Sequence, residues 1–103
     1  MVELLEGFDI SLKTTNILEE NLTSSEKEEL ENCIERFYSA ITYLREIGVS
    51  NETIEEIILE DHHVLIAGRK NIETALSKIN NIQGFVQMLN NDVNYMSFLK
   101  NIN

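Results

Sequence analysis

A chain of 103 residues carrying 18 Asp and Glu against 8 Lys and Arg has a formal net charge of −10 at neutral pH. With 43% hydrophobic and 25% charged residues, it sits in the ordinary globular range and away from the composition of disordered chains. A polyanion is repelled by phosphate, so direct binding to nucleic acid or to an acidic membrane is not expected, whereas a basic protein surface is its natural complement.

The length fits a single helical domain over 1–103 with one core. Met1 to Ile10 holds Glu3, Glu6 and Asp9 and no basic residue, and the longest uninterrupted apolar run is Val64-Leu65-Ile66-Ala67. Neither a signal peptide nor a transmembrane helix is expected. Cys33 stands alone, which removes any internal disulfide, and a cytoplasmic setting is the resulting expectation.

Proline is absent and apolar residues recur three and four apart, the helical period. In chain order, Asp9 is positioned to cap a first helix to about Asn21, with Ile17, Leu18 and Leu22 inward. Thr23 with Glu26, or Ser25 with Glu28, forms a capping box that opens the second. From Leu30 the apolar residues Cys33, Ile34, Phe37, Tyr38, Ala40, Ile41, Leu44 and Ile47 cover an arc roughly 180° wide, broad enough for two neighbours. The spacing therefore predicts one long helix to Ile47, with Glu28, Glu31, Glu35 and Glu46 on its opposite side. Gly48-Val49-Ser50 reads as a tight turn, glycine in the left-handed conformation and serine capping the next helix.

A short helix over about Asn51 to Glu60 offers Ile54, Ile57 and Ile58 to the core. Beyond it, Val64, Ala67, Ile72, Ala75, Leu76, Ile79, Ile82, Val86 and Leu89 hold one phase, predicting a second long helix through Asn80, Asn81 and Gly84. Tyr95, Phe98, Leu99 and Ile102 form a stripe in a different phase, so the chain breaks near Asn90-Asn91-Asp92 and a last helix begins there. The predicted fold is all-α, a small irregular bundle of four to five helices, two of them long and antiparallel.

Chemistry-bearing residues are few. Glu60 and His63 have the i, i+3 spacing of carboxylate-bridged metal sites in bundles. His62 and His63 are the only two histidines, so a site on this pattern needs a dimer axis to complete it, and no metal or other cofactor is expected. The expected role of the histidines is to end a short helix, a cationic imidazole complementing its C-terminal dipole. Cys33, on the apolar arc, reads as a small core hydrophobe. No phosphate loop, nucleophile-base set or CxxC occurs, so an enzyme is not expected.

Two acidic patches remain: Glu26, Glu28, Glu29, Glu31 and Glu35, then Glu52, Glu55, Glu56, Glu60 and Asp61. Like charges three and four apart on one helix cost a few tenths of a kcal/mol per pair; the patches read either as solvated faces or as a docking face for Lys and Arg. The expected contacts are Glu28, Glu31, Glu35, Glu55 and Glu56, with Tyr43 at the rim of the apolar arc as anchor. This suits a non-enzymatic inhibitor, antitoxin, immunity protein or phage-type antagonist that occludes a basic surface. The alternative is a helical nucleic-acid or nucleotide module using Arg69, Lys70 and Lys78. Ile66, Met88 and the C-terminal stripe, if exposed, point to a homodimer.

Leu44 to Leu65 reads L-x-x-I-G-V-S-x-x-x-I-x-x-I-I-x-x-x-H-H-V-L and resembles one repeat of the mitochondrial transcription termination factor family. That family stacks helical repeats into a nucleic-acid-binding solenoid. Here His62 stands where the family has proline, and no second copy occurs. Capping alone produces such a turn between two amphipathic helices, so the resemblance is read as convergence.

Overall fold

The computed structural model describes Leu5 and residues 8–96, which form seven α-helices and one 3-10 turn with no strand. The helices are α1 (Leu12–Asn21), α2 (Ser24–Asn32), α3 (Ile34–Glu46), α4 (Asn51–Asp61), α5 (His63–Ile66), α6 (Arg69–Leu76) and α7 (Ile82–Asn91), and the 3-10 turn is Val93–Met96. The all-α expectation holds. Both predicted long helices are broken, and the elements are correspondingly shorter and more numerous.

Each start has a local cause. Ser11, not Asp9, caps α1, its Oγ accepting from the Thr14 amide at 3.2 Å, while Asp9 takes a positive φ of 59°. Aspartate is one of the few non-glycine residues that tolerate that region. Thr23 and Glu26 form the reciprocal capping box: Glu26 N donates to Thr23 Oγ1 at 3.1 Å and Thr23 N to Glu26 Oε1 at 3.0 Å. Cys33 then leaves helical geometry, with φ −108° and ψ 20°, and ends α2 while starting α3.

The turn after α3 agrees with the sequence reading. Gly48 has φ 103° and Ser50 Oγ accepts from Thr53 N at 3.2 Å. Asn90 on α7 clasps this turn from both sides, donating through Nδ2 to Gly48 O at 3.1 Å and accepting at Oδ1 from Ser50 N at 3.0 Å.

The second expected long helix is interrupted twice. Gly68 turns the chain between α5 and α6 with φ 93°, where a Cβ would lie 3.4 Å from Cβ of Arg36. Only glycine adopts that backbone without strain. Asn81, which the apolar phase carries inside a continuous helix, is instead the cap of α7: its Oδ1 accepts from Gly84 N at 3.0 Å. These breaks bury Ile66, which a continuous helix would have turned outward, and expose Ala67. The break at Asn91-Asp92 is as expected, and Met88 is exposed as expected. Phe98, Leu99 and Ile102 lie outside the described residues.

One cluster of buried side chains runs through all of this. Its centre is α3, which packs on α5 and α6 and sends Phe37, Ala40, Ile41 and Leu44 inward, each essentially without solvent exposure. Below it α4 buries Ile54, Ile57 and Ile58, and each isoleucine removed from water stabilises the fold by about 1.5–3 kcal/mol. The opposite side of α4 meets α1 and defines the first of two candidate sites.

Candidate functional site

The first site is a groove of about 340 Å³ where α1 meets α4, lined by Ser11, Lys13, Thr14, Ile17, Glu52, Glu55, Glu56 and Leu59. Glu52, Glu55, Glu56 and Leu59 share one stripe of α4 because they recur at helical spacing. Leu59 is 41% exposed, an apolar side chain left open between carboxylates. Leu12, on the facing helix, is 56% exposed.

Glu55 does not point freely outward. Its Oε1 accepts from the hydroxyls of Ser11 and Thr14 and from Ser11 N at 3.3 Å, tying α1 to α4. Burial pushes this carboxyl up, but the hydrogen bonds from Ser11 and Thr14 outweigh it and hold the pKa below the ordinary glutamate value. A depressed carboxyl stabilises the fold fully above its unfolded pKa of about 4.3, and loses that contribution as pH falls through the folded value. Glu55→Gln is therefore expected to cost about 1 kcal/mol at pH 7, below the usual range for charged hydrogen bonds because the group is partly in water. Urea unfolding should show the gap between native protein and variant closing below about pH 4. Glu52 and Glu56 are the outward charges of the groove, both exposed.

The second site lies where α4 ends. His62 is the cap shared by α4 and α5, is only 5% exposed, and keeps Nε2 buried with no hydrogen-bond partner among the described residues. Its pKa is lowered, first by burial and then by the neighbouring His63, against the pull of Glu26, Asp61 and Glu29. A cationic His62 at a helix end, the sequence expectation, is thus corrected: the ring is inside, and its environment favours the neutral form. His63 is exposed, with its ring centroid 4.2 Å from that of His62.

Asp61 Oδ1 receives both His63 N at 3.1 Å and His63 Nδ1 at 3.0 Å, while Glu29 Oε1 lies 3.4 Å from His63 Nε2. The carboxylate brought to both histidines is Glu26 of α2: one donor atom from each of Glu26, His62 and His63 lies within 4.8 Å of the others. Glu60, the partner suggested by spacing, is exposed and outside this group. Glu26 is far upstream of His62 in the chain, a separation no local pattern connects. Its capping-box bonds with Thr23 lower its pKa.

The structure also places the remaining sequence candidates. Glu28 and Glu31 on α2 and Glu35 on α3 lie at the surface. Tyr43 is half-buried against the core, and the Arg69 guanidinium covers its ring at 4.9 Å from the centroid. Arg69 also pairs with Glu46 at 3.7 Å and with Glu73. Tyr43 is therefore a covered rim residue, and the Arg69 charge is offset locally, leaving Lys70 and Lys78 at the surface on that side. Cys33, expected in the core without a basic neighbour, is only half-buried, and Arg36, three residues on, donates Nη2 to its Sγ at 2.8 Å.

No known protein family, no curated protein and no solved structure matches this chain. No helix among the described residues is long and apolar enough to cross a membrane.

Proposed function

We propose that this chain is a non-enzymatic, acidic protein-binding module that occludes a basic surface on a partner protein, as an inhibitor, antitoxin, immunity protein or phage-type antagonist does. The observation that carries the reading is the α1–α4 groove, where exposed Leu59 lies on the same α4 stripe as Glu52 and Glu56. Carboxylates beside an open apolar side chain suit a segment that alternates Lys or Arg with a large aliphatic residue. The charges steer and orient it, and the buried apolar contact supplies affinity. Glu28, Glu31 and Glu35 add a further acidic surface on α2 and α3.

The nucleic-acid alternative has less support, because Arg69 is engaged by Glu46, Glu73 and the Tyr43 ring. Phosphate binding needs cations that are free to replace counterions.

The reading is tested by titrating isotope-labelled protein with a short Lys/Leu peptide and tracking backbone amide resonances. Shifts should concentrate at Ser11, Thr14, Ile17, Glu56 and Leu59 and weaken with added salt. Glu52→Lys with Glu56→Lys should lower affinity at least tenfold. Shifts scattered over the whole surface, or equal affinity in the double variant, would remove the groove as the binding face.

A further inference from the structure

We infer that Glu26, His62 and His63 form a binding site for a divalent transition-metal ion of the zinc type, separate from the α1–α4 groove. Three elements of the fold converge on it. α2 supplies Glu26 from its first turn, where Oε1 closes the capping box and the carboxylate retains a second oxygen. The junction of α4 and α5 supplies His62 and His63 as consecutive residues, one capping both helices and the other opening α5. One donor atom from each lies within 4.8 Å of the other two, and side-chain rotation at exposed His63 and half-buried Glu26 closes the set onto an ion.

The buried imidazole is the decisive feature. His62 is 5% exposed and its Nε2 meets no hydrogen-bond partner among the described residues. Buried polar atoms are almost always paired, and an orphan in a native fold asks for a missing ion or ligand. A cation bound at this cluster gives the buried His62 ring a polar partner.

The surroundings agree with a metal site. Asp61 Oδ1 lies 3.0 Å from His63 Nδ1, the carboxylate-to-histidine contact that orients ligand imidazoles and leaves Nε2 as the donor atom. That Nε2 faces Glu29 Oε1 at 3.4 Å, so a further negative charge stands beside the ion. Two imidazole nitrogens and a carboxylate oxygen suit zinc or its neighbours better than calcium or magnesium, which take oxygen ligands. Three protein donors leave a fourth position open to water or to a group on a partner.

The test uses the full chain stripped with a chelator, cobalt(II) as the spectroscopic probe and zinc(II) in calorimetry. One equivalent of either ion is expected to bind per chain, cobalt with visible d–d absorption, and zinc is expected to raise the melting temperature. His63→Ala and Glu26→Gln should each weaken affinity at least tenfold, the glutamine still able to close the capping box through its amide oxygen. Glu60→Gln, at the position suggested by spacing alone, should bind like the native protein. His62 is left intact in these comparisons because it is buried. No stoichiometric binding at micromolar free zinc, or binding undiminished in both His63→Ala and Glu26→Gln, would overturn the assignment.

Discussion

Phe37→Ala is expected to remove about 3–5 kcal/mol of stability, the range for deleting a fully buried aromatic ring. The ring is 0% exposed on α3, the helix that packs on both α5 and α6. A domain of this length has only about 5–15 kcal/mol in total, so the variant should sit near its unfolding threshold. Urea denaturation should show the midpoint falling by at least about 1 M with an unchanged slope, given slopes of about 1–3 kcal/mol per molar. A loss under about 1.5 kcal/mol, well below the usual cost of such a deletion, would mean that α3 is not the centre of the core.

His62→Leu is expected to act in the opposite direction, stabilising the metal-free protein by about 1–2 kcal/mol at pH 8. The wild-type ring places Nε2 where no protein partner among the described residues reaches it, and a buried unsatisfied polar atom costs about 1–3 kcal/mol. Leucine fills much of the same volume with no polar atom, and the contact it loses, the tilted approach to the His63 ring at 4.2 Å, is small. His63→Ala, at an exposed position, should stay within about 0.5 kcal/mol of native. The same His62→Leu protein should no longer bind zinc, which would make the imidazole a residue kept for binding at the expense of the fold. A variant destabilised by more than about 1 kcal/mol, the ordinary outcome of a point substitution, would show instead that the ring satisfies a structural need.

The features legible in the sequence are local. The Thr23–Glu26 box, the Gly48 turn with its Ser50 cap, the inward isoleucines of α4 and the break near Asp92 each depend on residues within a few positions of one another. The breaks at Cys33, Gly68 and Asn81 escape the sequence pattern for one reason. Apolar phase persists across a break when both flanking helices face the same core, as Leu30 and Phe37, or Leu65 and Ile72, do here. Periodicity then reports a shared core and not a continuous helix. Two local signals mark the last two breaks: Gly before a polar run at Gly68, and the low helix propensity of the Asn80-Asn81 pair.

The metal cluster is legible in part. The Glu60-Asp61-His62-His63 stretch stands out as ligand-type residues, yet the third donor, Glu26, comes from another helix and is set by how α2 packs. Burial of His62 results from its place at the α4–α5 junction, beside the end of the core. Likewise Glu55 reads as one more acidic side chain until α1 brings Ser11 and Thr14 onto it. Tyr43 reads as a free anchor until Arg69 covers it.

The most direct test of the acidic binding surface is affinity capture from lysate of the source organism, with mass-spectrometric identification. The native chain is run beside a Glu28→Lys, Glu31→Lys, Glu35→Lys variant and a Glu52→Lys, Glu56→Lys variant, each first shown to be folded by circular dichroism. The expected result is a specific partner with a basic surface, held by the native chain, released by salt, and lost from at least one variant. A partner retained equally by all three proteins would contradict it, and would reduce the net charge of −10 to a determinant of solubility.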